Sequence, residues 1–336
     1  MADTTSQAYG SGSFRLPPFA LILIVLLALV PPIAIALGDP FIIRVFTRIL
    51  LLGMAAMGLN LVLGYGGLIS LMHAAFFGVG GYVVAILAHH DFNNEAFLGL
   101  ISGTSVLAIS IPLGLLVVSL VAAFTGYISL RTSGVFFIMI TLAFNQMIYY
   151  FFIAAQQYGG DDGLQILSDV RLFGLSGSNR IAFYYVCLAL VAATLFFLSR
   201  LVESRFGMVI RAAAQNERRL AALGTPVLRY RLAAFIISGA IAGLAGALWA
   251  VSQGFVSPAD MSWGRSGELV VMAVLGGLGA AWGPLVGAAA FLGLELFISE
   301  WTSYWQLPFG VVIILMVVFL KGGLVGLCQK LARRWQ

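Results

Sequence analysis

The chain has 336 residues, of which 61% are hydrophobic and only 9% are charged, and its net charge is +5. Soluble chains carry about 25% charged residues, so this composition excludes a soluble protein with a polar surface. The length accommodates about eight to ten membrane spans. Because the basic residues fall at span ends and in one loop, the positive charge indicates orientation in a bilayer and no nucleic-acid partner. We expect an all-α, polytopic membrane protein.

The predicted helices follow from apolar windows long enough to cross a membrane. In chain order they lie near 19–38, 45–63, 68–88, 105–126, 134–155, 181–199, 232–252, 268–300 and 307–320. The first is expected to be a retained span, interrupted by Pro31-Pro32, because its apolar core is longer than that of a signal peptide. The predicted organisation is an N-terminal cytoplasmic tail (1–18), one transmembrane domain (19–320) and a basic cytoplasmic tail (321–336).

Orientation follows from the arginines and lysines. Seven of the 18 basic residues lie between Arg200 and Arg231, and four more close the chain. The positive-inside rule places both clusters in the cytoplasm. An even number of crossings must then separate them, so the 33 residues of 268–300 are expected to form two short helices. The break is expected at Gly276-Gly277-Leu278-Gly279 and Gly283-Pro284.

A second glycine-broken region lies in the first half, between Gly58 and Tyr82. Paired broken segments in two halves point to the substrate route of a transporter, although the similarity between these two is too weak to establish a repeat. The small-residue spacing of Gly239 with Gly243, and of Gly279, Gly283 and Gly287, favours close helix packing in lipid, although such spacings also arise by chance among 39 glycines.

Polar residues inside apolar windows are candidates for a substrate path or gate, because they are costly at membrane depth. The alternative for each is a hydrogen bond between helices. These residues are Asn60, His73, Asn145, Gln146 and Glu295. No cluster of His, Cys, Asp and Glu has zinc spacing, no catalytic Ser/His/Asp set stands in a plausible frame, and no phosphate-binding GxxxxGK[ST] loop is present.

The basic stretch "RFGMVIRAAAQNERRLAALG" contains a predicted helix of only seven residues. Asn216 can cap its N-terminus and Glu217 complements the helix dipole. Gly224 can end the helix, and Pro226 prevents it from resuming. Such a helix, about 10 Å long, is too short to be stable alone. It is therefore expected to dock against another protein.

These features resemble the M-type permease subunit of branched-chain amino-acid (Liv-type) ABC importers. The resemblance is most specific at "SRFGMVIRAAAQNERRLAALG" followed by "RYRLAAFIISGAIAGLAGALWAVSQGFVSP", and it covers most of residues 50–325. Further matching blocks are "GLNLVLGYGGLISLMHAAFFGVGGY", "LRTSGVFFIMITLAFNQMIYY", "GGDDGL" and "VLGGLGAAWGPLVGAA". Two departures are Met72, where the family usually has glycine before the histidine, and Lys321-Gly322-Gly323-Leu324, where it usually reads P-R-G-L.

The resemblance implies a permease of the bacterial cytoplasmic (inner) membrane that forms the path for branched-chain amino acids or a related small polar solute. The implied partners are a second homologous permease, two cytoplasmic ATPases that bind ATP and Mg²⁺, and a periplasmic or tethered binding protein. No cofactor is implied on this chain. Asp161 and Asp162 form a candidate docking or gate surface, or simply a solvated turn. The implied contacts with the ATPase are Glu217, Arg218, Arg219, Ala221, Ala222 and Gly224.

The competing hypothesis is a secondary transporter of small solutes driven by an ion gradient. That mechanism requires a carboxylate at membrane depth for ion coupling. Glu295 is the only weak candidate, and the alternative for it is a hydrated position near the external end, beside Glu300.

Overall fold

The computed structural model describes residues 18–93, 96–97, 101–168, 171–172, 175–176, 179–301, 304, 306–319 and 322–326. Most of both predicted tails, including Cys328 and the four basic residues that close the chain, lies outside the described residues. The α-helices are α1 (Pro18–Ala28), α2 (Val30–Leu37), α3 (Pro40–Asn60), α4 (His73–Asn93), α5 (Leu107–Ser129), α6 (Val135–Ala154), α7 (Arg180–Glu203), α8 (Arg205–Gln215), α9 (Glu217–Ala222), α10 (Val227–Gln253), α11 (Trp263–Gly276), α12 (Gly283–Ser299) and α13 (Gln306–Phe319).

Short strands connect some of these helices in antiparallel pairs. They are β1 (Ala96–Phe97) with β2 (Ile101–Ser102), β3 (Leu164–Gln165) with β6 (Phe255–Val256), and β4 (Arg171–Leu172) with β5 (Leu175–Ser176). The all-α fold class is confirmed, because the strands are only two residues long. In the described part of the chain, six helices are long and apolar enough to cross a membrane: α3 with its extension to Tyr65, α4, α5, α6, α7 and α10.

Local sequence explains where several helices begin and end. Asp39 caps α3 by accepting a hydrogen bond from the Phe41 backbone, and Pro40 occupies the first turn, where its missing N–H is not needed. The first span is interrupted at Leu29, with Pro31 and Pro32 in the first turn of α2. The predicted interruption of this span is therefore confirmed.

The predicted split of 268–300 is also confirmed. Helix α11 ends at Gly276, α12 begins at Gly283, and Gly277 and Gly279 have positive φ in the turn between them. Positive φ is accessible to glycine without a steric penalty. By contrast, the prediction of one helix over 68–88 is wrong at its start. Helix α3 continues as a π-helix, Leu61–Tyr65, residues 66–72 are not helical, and α4 begins only at His73.

The core is built from two units that run in opposite directions. In each unit a long helix is followed by a stretch outside the α-helices and then by a second helix: α3, 66–72 and α4 in one, α10, 254–262 and α11 in the other. The second stretch contains β6 and a 3-10 turn, Pro258–Met261. Arg48 lies beside Trp249 and Gly58 beside Ser238, so α3 and α10 are antiparallel. The partner of the first broken stretch is therefore 254–262, whereas the glycine turn at 277–282 lies against the end of α3. Inverted units of this kind are typical of transporters.

Glycines allow these helices to approach closely. A Cβ at Gly246 would lie 1.7 Å from the carbonyl oxygen of Phe77, and one at Gly80 would lie 2.1 Å from that of Gly243. A Cβ at Gly287 would lie 1.9 Å from the Met272 carbonyl oxygen, whereas Gly279 faces open space. A Cβ at Gly243 would lie 2.7 Å from Val118, and one at Gly239 would lie 3.0 Å from Phe76 and 3.1 Å from Ala122, so this small-residue spacing serves packing of α10 against α4 and α5. Gly287 serves packing of α12 against α11, and Gly279 lies in the turn between them.

Candidate functional site

The two broken stretches meet at a buried polar junction in the centre of the molecule. Asn145, on α6, is fully buried and accepts a hydrogen bond from the Ala75 backbone at 3.0 Å. Its amide group donates to the Met261 carbonyl at 2.9 Å. One side chain therefore bridges the start of α4 and the end of the 254–262 stretch.

Two hydroxyl groups complete this junction. The Ser266 Oγ, in the first turn of α11, donates to the Leu71 carbonyl at 2.7 Å and accepts from the Ala74 backbone at 3.1 Å. The Thr141 Oγ1 accepts from the Leu71 backbone at 3.3 Å. Helices leave their first N–H groups without partners inside the helix. Here protein side chains supply those partners, so the start of α4 is held rigidly against α6 and α11.

His73, the first residue of α4, is fully buried and belongs to a second polar contact. Its Nε2 lies 2.6 Å from the Ser238 Oγ, which donates a short hydrogen bond to the Gly58 carbonyl. Because the Ser238 proton is used on Gly58, Nε2 carries the histidine proton and Nδ1 is a bare acceptor. No described group donates to Nδ1. The rings of Phe76 and Phe235 face the imidazole edge-on, at 5.7 Å and 6.1 Å between centroids.

Asn60 holds the glycine turn between α11 and α12. Its amide group donates to the Ala280 carbonyl at 2.9 Å, and its Oδ1 accepts from the Gly279 backbone at 3.4 Å. The residue is buried at the end of α3, where the π-helix begins. Non-helical backbone at membrane depth requires protein partners. Asn60 provides these partners for the glycine turn. Its contacts therefore match the structural interpretation, a hydrogen bond between elements, that was given as the alternative to a role in the substrate path.

Gln146 differs from its neighbour Asn145. Its Oε1 atom is buried and has no hydrogen-bond partner among the described residues. Helix α6 exposes large apolar side chains beside it, including Met147 and Phe151, at 55% and 67%. This helix therefore faces lipid or another protein along much of its length.

Asp161 and Asp162 are exposed in a tight external turn. A Cβ at Gly159 would lie 1.8 Å from the Gly163 carbonyl oxygen, and one at Gly163 would lie 2.4 Å from that of Val256, so the glycines fix the turn against β6. Next to it, the Tyr158 hydroxyl lies 3.3 Å from the Nε2 of His90. Burial raises the pKa of Tyr158, so its hydroxyl stays protonated to a higher pH than that of an exposed tyrosine.

The sequence reasoning missed a cluster of arginines at the outer ends of the helices, the ends opposite the basic 200–231 loop. Arg48 and Arg265 each lie 5.7 Å from the ring centroid of Trp249. Arg265 pairs with Asp260 at 3.3 Å and with Glu268 at 2.7 Å. Arg48 was overlooked because it lies near the outer edge of its predicted window, although an arginine within an apolar window is itself a signal.

Glu295 lies half-buried near this cluster. Arg48 is the positive charge that acts most strongly on its carboxylate, and Arg265 also contributes. Neither forms an ion pair with it within 4.0 Å in the described part of the chain. Glu295 therefore belongs to the outer charged cluster and not to the central junction.

The short helix predicted in the basic loop is present as α9, with six residues where seven were predicted. The Asn216 side chain accepts from the Arg219 backbone at 3.0 Å, and Gly224 follows the helix with a φ of +79°. Helix α9 has no buried residue, and Leu223 is 77% exposed. A second helix in this loop, α8, was not predicted; it packs through Gly207, Ile210 and Ala213.

Arg231 fixes α9 to the rest of the molecule. Its guanidinium group donates to the Glu217 carboxylate at 2.7 Å and to the Ala213 carbonyl at 3.2 Å. The base of α10 is thus connected to both α8 and α9. A displacement of α9 would act directly on α10, the helix that packs against α3, α4 and α5.

Long apolar helices, inverted broken units and a polar junction where they meet define a multi-pass membrane transport protein. Residues 41–320 match the family described as "Branched-chain amino acid transport system / permease component". The chain belongs to this family, and it is a permease subunit of the inner membrane. No solved structure matches it.

Named relatives agree with this assignment. The high-affinity branched-chain amino acid transport system permease protein LivM of Escherichia coli is 28% identical over 329 residues, which cover 91% of this chain and 74% of the relative. LivM of Salmonella typhimurium is 28% identical over 322 residues, which cover 87% of this chain and 73% of the relative. A probable branched-chain amino acid transport permease protein LivH of Methanocaldococcus jannaschii is 32% identical over 124 residues, which cover 35% of this chain and 36% of the relative.

Proposed function

We propose that this chain is the transmembrane permease subunit of an ABC importer for branched-chain amino acids or a related small polar solute. In this proposal separate subunits bind ATP and Mg²⁺ and drive transport. A second permease and a solute-binding protein complete the importer. The names of the LivM and LivH relatives support the substrate class.

The observation that carries the proposal is the exposed helix α9. It is capped at both ends, it buries none of its six residues, and an apolar Leu223 follows it. A helix this short gains little stability from its own hydrogen bonds, and an exposed apolar side chain beside exposed arginines suits a protein partner. The surface proposed for the ATPase consists of Glu217, Arg218, Arg219, Ala221, Ala222 and Gly224.

The ion-coupled alternative depends on Glu295. Its carboxylate is half-buried among charges of both signs, Arg48, Glu268 and Arg265, and forms no ion pair within 4.0 Å in the described part of the chain. An ion-coupling carboxylate is expected on the transport path, whereas Glu295 lies away from the central junction of the two inverted units. This position favours the ATP-driven proposal.

Co-purification tests the proposal. The chain, extracted in mild detergent, should bring a P-loop ATPase with it, and uptake of the solute should stop when the ATPase genes are deleted. Uptake that persists without the ATPases would overturn the proposal. A binding assay on the accompanying solute-binding protein, with a panel of amino acids and urea, would identify the solute.

Two substitutions test the role of α9. We expect Gly224→Pro and Arg218→Glu each to reduce ATPase co-purification and uptake at least tenfold while the chain still inserts. Proline cannot adopt the positive φ of residue 224, and glutamate reverses an exposed charge. Arg229→Glu, an exposed position in the first turn of α10, is the matched control. Normal ATPase binding in both test variants would show that another surface couples the subunits.

A further inference from the structure

The outer ends of α3, α7 and α10 line a partly open cavity of about 340 Å³. Three arginines line it, Arg44, Arg48 and Arg180, together with Thr47 and Gln253. No carboxylate is among its lining residues, and none lies within 4.0 Å of these arginines in the described part of the chain. The volume lies in the range of small-molecule sites.

The charge of this cavity is not explained by membrane topology. Arginines concentrate on the cytoplasmic side of membrane proteins, yet these three lie at the opposite ends of their helices. Arg265, the nearby arginine on α11, has two carboxylate partners. Arg44, Arg48 and Arg180 have no such partner, and Glu295 acts on Arg48 only from beyond ion-pair distance.

Arg48 is the strongest evidence for a ligand. Its guanidinium is held over the Trp249 ring, and its Nε atom is buried without a hydrogen-bond acceptor. A buried donor without a partner is costly, and an arginine fork matches the two oxygens of a carboxylate or phosphate. The Thr47 hydroxyl donates to the Ile43 carbonyl within α3, and the Arg48 Nε makes no hydrogen bond to it.

A second, apolar chamber adjoins the cationic one. It has a volume of about 360 Å³, and it shares Ile43 and Arg180 with the first. Its other lining residues include Ala34, Ile35 and Ile181. The two chambers together suit a molecule that carries one oxyanion group on a compact apolar body.

We propose that the paired chambers between α2, α3, α7 and α10 bind a small organic anion, with its carboxylate on Arg48 and its apolar part beside Ile43. As a site for a transported carboxylate, this inference rests on the proposed import function. The same oxyanion chemistry could be supplied by the headgroup of an anionic lipid. The experiment distinguishes the two sources.

The probe is 4-methylpentanoate, titrated against the full chain with its co-purifying subunits in phosphatidylcholine nanodiscs. We expect the neutral isostere 4-methylpentanamide to bind at least tenfold more weakly. Arg48→Gln and Arg180→Gln should each weaken carboxylate binding at least tenfold, and Arg48→Lys should restore part of it. Arg229→Gln, an exposed arginine at the cytoplasmic end of α10, should bind as the unchanged chain does.

A parallel arm uses phosphatidylglycerol. If the unchanged chain retains this lipid through purification and Arg48→Gln loses it, while no carboxylate binds, the oxyanion site is supported with a headgroup as its occupant. Equal binding of the acid and the amide, or no arginine-dependent binding of either probe, would overturn the inference. These experiments measure binding of the probes and not transport. If arginine-dependent binding is absent while the ATPase still co-purifies, the inference about this cavity fails and the proposed import function stands.

Discussion

At the scale of single residues, Asn145 is the side chain of the central junction that joins the two inverted units from a third helix, α6. It satisfies one backbone N–H at the start of α4 and one carbonyl at the end of 254–262. Both groups lie at membrane depth, where water does not replace a lost partner. The side chain therefore fixes the relative position of the two inverted units.

We expect Asn145→Leu, which removes both hydrogen bonds while keeping the number and branching of side-chain heavy atoms, to destabilise the chain by about 1–3 kcal/mol. Leaving a buried polar group without a partner costs roughly that amount of stability. The loss of a hydrogen bond between membrane helices lies at the low end of this range. Thermal unfolding in detergent measures the loss as a lower midpoint. Met147→Leu, an exposed position on the same helix, is the control. An unchanged midpoint for Asn145→Leu would show that the junction does not stabilise the fold.

Residue types predicted part of this site. Asn60, His73 and Asn145 were identified because amides and imidazoles are rare inside apolar windows. Ser238, which contacts His73, and Ser266, which bonds to the backbone around it, gave no such signal, because serine is common in membrane helices. Contacts between positions 165 or 195 residues apart depend on the tertiary fold, which no local pattern contains.

At the scale of elements, the packing of α4 on α10 depends on glycines. The backbone of α4 approaches so closely that a Cβ at Gly246 would overlap the Phe77 carbonyl. Gly293, on α12, has nothing within 4 Å of its Cβ position. The same substitution therefore has opposite expected effects at the two sites.

Gly246→Ala should destabilise the chain by about 1–3 kcal/mol, because the added methyl group forces two helices apart. Gly293→Ala should be neutral or stabilising by up to about 1 kcal/mol, because alanine is the better helix former and meets no neighbour. Thermal unfolding of both variants in one detergent checks the sign of each effect. Equal midpoints would contradict the close packing of α4 and α10.

Element boundaries show what hydropathy can and cannot predict. The split of 268–300 was predicted because the two basic clusters require an even number of membrane crossings between them and because glycines interrupt the segment near its middle. The start of α4 was wrong by five residues, since residues 68–72 are apolar enough to continue a window but are held outside a helix by contacts such as Thr141 with Leu71. Helix α8 was missed because its apolar face is short and arginines dominate its surroundings.

At the scale of the whole molecule, the outer chambers, the central junction and α9 are connected through neighbouring helices. The outer chambers contact α3 and α10, the central junction lies against the start of α4, and α9 is tied to the base of α10 through Arg231 and Glu217. Helix α10 thus extends from the outer arginines to the cytoplasmic loop. A movement imposed on α9 would reach both the junction and the outer cavity through this one helix.

This arrangement requires α9 and the Asp161-Asp162 turn to lie on opposite sides of the membrane. In a chain with Cys187→Ala and Cys328→Ala, we expect a membrane-impermeant maleimide to label Asp162→Cys in intact cells and to leave Leu223→Cys unlabelled. Both native positions are exposed, so exposure does not limit labelling. In inside-out vesicles the pattern should reverse, because the seven basic residues between Arg200 and Arg231 keep that loop in the cytoplasm. Labelling of both positions from one side would contradict the crossing of α7, the candidate span between them, and with it the cytoplasmic position that coupling to an ATPase requires.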